Sequence, residues 1–246
     1  MDYLELELSY GQKSYTVVRC SNPPAKITVP SRYNSLPVTA IESGVFSGNE
    51  YIEGVKIPDS VRELGEFTFS ECSSLKFVRL PSRVAHLGVE LFKECTSLKE
   101  IEIPSSVRYI ASSAFADCTS LERFIFPRGG ALDLGNGVLG GCKSLKSVEI
   151  PENVTRIGKY TFEECSNLEN VSIANGVLHI DDYAFSDCRS LKEIHIPASV
   201  LKMGEYVFIG CLSLEKIYCE AEKMPPEWNK NALGGCRAQV IWGYKA

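Results

Sequence analysis

The chain has 246 residues, of which 44% are hydrophobic and 23% are charged, and its formal net charge is -5 with a pI near 5.4. This acidic balance argues against nucleic acid as a partner, because proteins that bind phosphate backbones usually present a basic face. No apolar run reaches the roughly 18 residues that would span a bilayer, so we expect a soluble chain without membrane insertion.

The N-terminal 40 residues differ from the rest of the chain. Residues 1–8 alternate apolar and acidic side chains and lack the basic start and continuous apolar stretch of a secretory signal. Residues 4–8 and 15–20, joined through Gly11-Gln12, predict a β-hairpin. Residues 27–30 and 38–41 then form a stretched first repeat. Because the terminal unit of a stacked array must cover an exposed end, we assign 1–40 as an N-terminal β cap with this half-repeat.

From residue 41 onward one motif returns every 23 residues, with a single step of 24. Its marker is a cysteine, at Cys72, Cys95, Cys118, Cys142, Cys165, Cys188 and Cys211. A phenylalanine precedes each cysteine by three residues, except that Leu139 replaces it once, and a leucine follows each by three. A fixed period of this length predicts stacked units, each of which buries its apolar face against its neighbours.

One copy, residues 98–121, shows how each unit is built. Ile101-Glu102-Ile103 alternates as a half-buried strand does, and Pro104 ends that strand because proline cannot donate a ladder hydrogen bond. Residues 107–110 predict a second short extended piece. The closer apolar spacing over 114–118 predicts a helical turn. Each repeat is therefore expected to be a coil with three sides.

Aligned copies predict inward columns that form one continuous core. The first column is Ile41, Leu64, Leu87, Ile110, Leu134, Ile157, Ile180 and Met203, and the second is Val61, Val84, Val107, Val154, Val177 and Val200. The cysteines form a third column. Stacked coils lie about 4.8 Å apart, within the Cα separation of a disulfide, although parallel side chains disfavour bridging. We interpret the column as buried free thiols that act as small hydrophobes.

The repeated pattern Leu-x-x-Ile-x-Ile-Pro-x-x-Val-x-x-Ile-x-x-x-x-Phe-x-x-Cys over residues 41–219 resembles the BspA-like leucine-rich repeat of bacterial surface proteins. It departs from that pattern at Leu139, Ala174 and Cys219. The resemblance implies a curved, right-handed β/α superhelix, a leucine-rich repeat solenoid with a parallel β-sheet on its concave side. It also implies a secreted or cell-surface location and a role in adhesion, although no signal peptide stands in this chain.

Two segments depart from the regular repeat. The extra residue falls in Arg128-Gly129-Gly130-Ala131, which we interpret as a local bulge, with a contact loop as the alternative. Residues 220–246 resemble closing segments of the family and are assigned as the C-terminal cap. We interpret Trp228 and Trp242 as lid residues over the end of the core rather than as ligand-stacking residues.

Several motifs resemble those of cofactor-binding, catalytic or metal sites. Residues 135–140 satisfy the Gly-x-Gly-x-x-Gly dinucleotide fingerprint, but the glycines coincide with repeat positions and no βαβ unit surrounds them. The three histidines, His86, His179 and His195, are not accompanied by a nucleophile and an orienting group in a recognisable constellation. The cysteines do not form the paired Cys-x-x-Cys of a structural zinc site. We therefore predict a protein that is not an enzyme and has no catalytic residues, metal or cofactor.

The outward positions of the strands are the candidate binding surface, because they vary from copy to copy while the inward positions do not. On the concave face we select Phe77, Arg79, Glu100, Glu102, Arg123, Ile125, Glu149, Asn170, Glu193, His195, Lys216 and Tyr218. Phe77, Ile125 and Tyr218 are candidate anchors, although strand propensity alone could explain them. The leading hypothesis is a monomeric, non-catalytic scaffold that binds an unidentified protein or glycan. The alternative is an inert spacer or display stalk.

Overall fold

The computed structural model describes residues 3–245, which form a parallel β-solenoid of about 10 turns with repeats of ~23 residues. The repeat architecture expected from the sequence is thereby confirmed. Across this described range there is no helix, and hence none with the length and apolar character needed to cross a membrane.

The N-terminal elements begin with the expected hairpin. Strands β1 (Leu4–Leu8) and β2 (Tyr15–Cys20) pair antiparallel, with a register shift between Glu5 and Leu6. Strands β3 (Lys26–Thr28), β4 (Arg32–Tyr33) and β5 (Leu36–Ile41) follow. Strand β5 pairs parallel with β2 on one side and with the first regular coil on the other, so the hairpin covers the open end of the stack.

The first side of each coil is a strand of three or four residues. These strands are β6 (Gly54–Lys56), β8 (Phe77–Arg79), β10 (Glu100–Glu102), β12 (Arg123–Ile125), β14 (Ser147–Ile150), β16 (Asn170–Ile173), β18 (Glu193–Ile196), β20 (Lys216–Cys219) and the closing β21 (Gln239–Trp242). They form parallel ladders in the groups β3-β6-β8, β10-β12, β14-β16 and β18-β20-β21. Equivalent residues of neighbouring copies are register partners, as in Glu100 with Arg123.

The second side is a column of two-residue parallel strands. They are β7 (Glu63–Leu64), β9 (His86–Leu87), β11 (Tyr109–Ile110), β13 (Asp133–Leu134), β15 (Arg156–Ile157), β17 (His179–Ile180) and β19 (Lys202–Met203). The second residue of each strand is buried and belongs to the first inward column expected from the sequence. In the irregular copy, Leu132 supplies the missing member of the valine column and bridges to Val154.

The third side consists of tight turns, so the expected helical turn and the β/α description are wrong. In the copy over 111–118, Ser113 and Asp117 both have a left-handed backbone, with φ of 56° and 57°. A left-handed residue at every fourth position prevents the continuous i to i−4 hydrogen bonding of an α-helix. Bonds to the residue three positions earlier form instead, as from the Cys118 amide to the Phe115 carbonyl at 3.4 Å.

The turns of neighbouring coils are hydrogen-bonded to each other in the manner of a parallel ladder. The amides of Ser113, Phe115 and Asp117 donate to the carbonyls of Asn136, Val138 and Gly140 in the next coil, at 2.8, 2.9 and 2.7 Å. Every second amide thus points along the stack, and the others close turns within the coil. The turn side therefore joins successive coils through the backbone even where the strand ladders of the other two sides are interrupted, which satisfies backbone polar groups that would otherwise be buried unpaired.

The core is one continuous hydrophobic interior in which like residues stack. Phe46, Phe69, Phe92 and Phe115 stack with ring centroids 5.1 to 5.2 Å apart, and Phe162, Phe185 and Phe208 form a second stack. Leu139 separates the two stacks. In the same copy, Phe124 and Phe126 replace the usual strand isoleucines, and the Phe124 ring meets Phe115 edge-on at 5.2 Å. The Phe124 ring therefore packs at the end of the first phenylalanine stack, in the coil that has Leu139 in place of a phenylalanine.

The C-terminal cap closes the other end of the core. Strand β21 pairs parallel with β20 and continues the first sheet by one strand. Trp228 is 5% exposed, and its indole Nε1 donates to the Val200 carbonyl at 3.1 Å. The ring of Trp242, which is half-buried, lies 5.8 Å from that of Trp228. Both tryptophans therefore pack on the end of the core, as the lid interpretation predicted.

Candidate binding surface

We call the outward side of strands β6 to β20 the sheet face. Its side chains lie in two columns, because equivalent residues of successive copies pair in register. Gly54 pairs with Phe77, and Lys56 with Arg79. The same register carries through the later strands, where Glu193 pairs with Lys216. The two outward columns expected from the periodicity are therefore present. At the ends of the array, β3 pairs with β6 and β21 pairs with β20, so each adds one strand to these ladders.

The candidate residues differ in how far they reach into solvent. The exposed members are Phe77, Arg79, Glu100, Glu102, Arg123, Glu149, Asn170, Glu193, His195 and Lys216, whereas Ile125 and Tyr218 are half-buried. Phe77 is 50% exposed. Its ring covers Gly54, which is buried and presents no side chain of its own. Phe77 is therefore the one large, freely protruding apolar side chain among these candidates.

Charge on the central part of the sheet face is not neutralised internally. Glu100 and Arg123 are register partners in adjacent strands, yet neither belongs to an ion pair within residues 3–245. Glu102 is likewise outside the ion pairs of the described chain. Arg79, in contrast, lies 3.8 Å from the Asp59 carboxylate, and both are largely exposed. The central charges are thus available to a partner without first breaking an internal pair.

A cleft of about 520 Å³ interrupts the sheet face between β12 and β14. Over the described residues no ladder joins these two strands, as is also the case between β8 and β10 and between β16 and β18. Arg123, Ile125 and Glu149 line the cleft from the strands. The inserted segment lines it from the side, where Arg128 and Gly129 contribute. We call this depression the sheet cleft.

The inserted segment is held in place by one side chain of the next coil. The Asn153 Nδ2 donates to the carbonyls of Pro127 and Gly130, at 3.1 Å each. Gly129, between them, has φ of 124°, a conformation that residues with a Cβ rarely adopt. The extra residue therefore forms a pinned bulge, as the simpler interpretation predicted, and that bulge is one wall of the sheet cleft. Whether it is also a contact loop stays a prediction.

An aromatic cluster lies at the C-terminal end of the sheet face. The ring centroids of His195 and Tyr218 are 4.6 Å apart and nearly parallel, at 18°. Tyr244 packs against both, at 5.1 Å from His195 and 4.8 Å from Tyr218. Sequence reasoning missed Tyr244, since it follows the last repeat and has no equivalent in other copies. Only the pairing of β21 with β20 brings it there.

The repeat cysteines are packed in the core, and two of the three histidines lie on the second side of the coil. Each repeat cysteine is buried and free, and burial raises the pKa of the Cys118 and Cys165 thiols to about 12. The outward position of β9 and β17 holds His86, which is exposed, and His179, which is half-buried. Within residues 3–245 no group of three or more His, Cys, Asp or Glu side chains could hold a metal ion.

The repeats match one known protein family. The model of the BspA type leucine rich repeat region, in 6 copies, matches residues 26–146 and 129–237. The chain belongs to this family. The expected resemblance is thereby confirmed, and the matched region extends beyond 41–219 at both ends. Leucine-rich repeat proteins of this kind are typically non-enzymatic scaffolds, and the fold fits a protein-binding or surface repeat protein.

Solved structures of leucine-rich repeat proteins are similar to this chain. One from Bacteroides ovatus is 29% identical, with a TM-score of 0.71 over 98% of this chain and 70% of that one. The leucine-rich repeat protein of T. pallidum is 28% identical, with a TM-score of 0.60 over 87% of this chain and 88% of that one. One from Eubacterium ventriosum is 19% identical over 92% of this chain and 73% of that one, and its TM-score of 0.50 shows the fold alone. No curated protein matches the chain.

Proposed function

We propose that this protein is a surface adhesion scaffold that binds a protein partner through the sheet face. The observation that carries the proposal is the contrast between the two sides of the same strands. Inward positions repeat and are buried, whereas the outward positions in the same register differ from coil to coil. Packing within the solenoid does not require those outward identities. We further propose that the sheet lies on the concave side of a right-handed coil, as the family resemblance implies.

The sheet face has the composition of an interface centre. Phe77 protrudes, and aromatic and arginine side chains dominate the energy of many interfaces. The unpaired Glu100, Glu102 and Arg123 can select a partner of complementary charge pattern. The sheet cleft can accept one projecting side chain of that partner, and its lining holds both basic Arg123 and acidic Glu149.

A triple variant tests this proposal. Phe77→Ala with Glu100→Lys and Glu102→Lys should weaken binding of an identified partner by about tenfold or more, equivalent to about 1.4 kcal/mol. The matched control makes the same three chemical changes on the turn side, at Phe67, Glu71 and Glu94, which are also exposed. Surface plasmon resonance with the purified partner measures both.

The two triple variants distinguish the leading function from the alternatives. Loss of affinity in the sheet-face variant alone supports the proposal. Equal affinities for wild type and the sheet-face variant would reject the sheet face as the binding surface. A chain that binds no partner while it separates flanking modules would act as a spacer, and neither variant would then alter the spacing. Circular dichroism of both variants checks that the coil is retained.

A further inference from the structure

Three tyrosines stack along the outer surface of the turn side. Tyr160, Tyr183 and Tyr206 occupy one position in consecutive coils, two residues before the buried phenylalanine. The ring centroids of Tyr160 and Tyr183 are 5.3 Å apart at 11°, and those of Tyr183 and Tyr206 are 5.8 Å apart at 30°. Backbone geometry does not favour tyrosine here, because all three have φ between 52° and 59°, where bulky residues are uncommon. Burial does not explain it either, since Tyr160 is 38% exposed.

The stack ends at Tyr160 because the preceding coil has Gly137 at this position. One face of the Tyr160 ring packs on Tyr183, and the coil on its other side offers no ring to cover it. That coil also has Gly140 and Gly141 at the outward positions that follow. A cleft of about 520 Å³ opens there, lined by these glycines and Tyr160. We call it the glycine cleft.

Gly137 and Gly140 also belong to the motif over 135–140 that resembles a dinucleotide fingerprint, yet their setting is different. Gly137 and Gly141 are followed by turns and not by a helix whose N-terminus could hold a pyrophosphate. Gly141 has φ of 72°, and a Cβ there would collide with the Asp117 carboxylate. Because Gly137, Gly140 and Gly141 have no side chains, the Tyr160 ring lies beside an open space in this coil.

Both hydrogen-bond donors and acceptors line the glycine cleft. The polar residues are Ser112, Ser113, Asp117, Asn136, Glu163 and Glu164. The Ser112 hydroxyl accepts a hydrogen bond from the backbone N–H of Asn136 at 3.2 Å. The Asn136 Oδ1 accepts one from the backbone N–H of Lys159, also at 3.2 Å. Both bonds use acceptor oxygens, so the Ser112 hydroxyl proton and the Asn136 side-chain NH₂ remain to donate to a ligand.

We propose that the glycine cleft binds a neutral pyranose ring of a glycan, stacked on the free face of Tyr160. The face of an aromatic ring carries partial negative charge and attracts the weakly positive C–H groups on one side of a sugar. The hydroxyls at the edge of the sugar both donate and accept, as the mixed lining requires. The site lies on the turn side and is independent of the sheet face.

The charges and donors of the lining favour a neutral sugar over two other ligand classes. Asp117, Glu163 and Glu164 repel a phosphate, a sulfate or an acidic sugar. An alkylammonium group would be attracted to these carboxylates and to the Tyr160 ring. It would not use the Ser112 and Asn136 donors, whereas a sugar contacts the donors and the carboxylates together.

Saturation-transfer NMR with five neutral disaccharides tests the proposal: lactose, cellobiose, maltose, α-mannobiose and diacetylchitobiose. At least one should receive saturation at its ring C–H protons, with a Kd of roughly 0.1 to 10 mM, as a contact of one ring allows. Gly137→Tyr should abolish the signal, because a fourth tyrosine would occupy the place of the sugar. A Cβ at Gly137 would lie 3.5 Å from the Ser113 Oγ, so the substitution has room.

Two further variants complete the experiment. Tyr160→Ser removes the platform, and Ser113 shows that serine is accommodated at this position with φ of 56°. It should weaken binding by about tenfold or more. Tyr206→Ser is the matched control, because Tyr206 ends the stack away from the glycine cleft, and its affinity should stay within about twofold of wild type. If Gly137→Tyr does not fold, the comparison of sugar binding by Tyr160→Ser and Tyr206→Ser tests the proposal without it.

Three results would overturn the proposal. The first is the absence of saturation transfer to all five sugars. The second is a sugar signal that persists in Tyr160→Ser. The third is binding of tetramethylammonium, used as a second probe, in the absence of sugar binding, which would mark the glycine cleft as a cation site.

Discussion

The Cys118 thiol donates a hydrogen bond to the Phe92 carbonyl of the preceding coil, at a sulfur to oxygen distance of 3.1 Å. The same contact, between 3.0 and 3.3 Å, joins each repeat cysteine to the coil before it. A thiol is small enough to fit the interior and still offers a weak donor. The cysteine column is therefore a structural element of the stack.

Thiol accessibility tests this role. At pH 8 a thiol with a pKa of about 12 is ionised in about one molecule in 10⁴, and burial also blocks the reagent. We expect Ellman's reagent to modify half-buried Cys20 and Cys236 first in the native protein. The repeat thiols should react only at the rate of unfolding. Cysteines of the column that react as fast as Cys20 would contradict the buried assignment, and the total in denaturant should equal 10.

A larger side chain at position 139 should be partly compensated by a smaller one at position 124. Leu139→Phe alone overfills the irregular coil and should lower the free energy of unfolding by about 1 to 3 kcal/mol. Phe124→Ile alone leaves a void beside Phe115 and should cost about 1 to 2 kcal/mol. The double variant should recover at least about 0.5 kcal/mol of the sum, measured by urea unfolding. The control pair is Leu139→Phe with Ile27→Val, which are distant, so their effects on the free energy of unfolding should add. If the effects of Leu139→Phe and Phe124→Ile also add, the two positions are not coupled.

Acid should weaken one ion pair between adjacent coils. The Lys159 Nζ lies 2.6 Å from the Asp182 Oδ2, and this hydrogen bond, with a second from the Glu205 amide, lowers the pKa of Asp182 from 3.8. A lowered carboxyl pKa stabilises the fold above the ordinary value, and the gain is lost as pH falls through the folded-state pKa. Asp182→Asn should therefore destabilise by less than about 1 kcal/mol at pH 7, and the effect should shrink as pH falls below the ordinary carboxyl pKa of 3.8.

Urea unfolding at pH 7, 5 and 3 measures this difference. Asp133→Asn is the control, because Asp133 is exposed and forms no ion pair within residues 3–245. A stability difference for Asp182→Asn that stays constant from pH 7 to pH 3 would rule out the charge of Asp182 as its cause.

The tryptophan lid should limit fraying of the last coil. Trp228→Ala removes a buried ring and the indole bond to Val200, and should cost about 3 to 5 kcal/mol. Trp228→Phe keeps much of the volume and should cost about 1 kcal/mol for the lost hydrogen bond. Hydrogen exchange should show loss of protection confined to the coil at 203–219, because each coil contacts only its neighbours. Uniform loss along the chain would contradict a local lid.

How far the sequence predicts this structure depends on whether a feature repeats. Phe77 and Glu102 were placed correctly on the outward columns, since a strand alternates with period two and the 23-residue repeat sets the register. Tyr244 and the glycine cleft were not found. Tyr244 has no counterpart in other copies, and Gly137, Gly140 and Gly141 matter only through the Tyr160 ring of the next coil.

The sequence by itself therefore determined the stack, its inward columns and its outward columns, because periodicity alone decides which side chains share a face. The tertiary structure decided the conformation of the third side, where left-handed residues such as Ser113 and inter-coil hydrogen bonds replace a helix. It also decided the packing of Phe124 against Phe115 of the preceding coil, and the two clefts. These features depend on contacts between coils, whose partners lie about 23 residues apart and are not encoded in any single repeat.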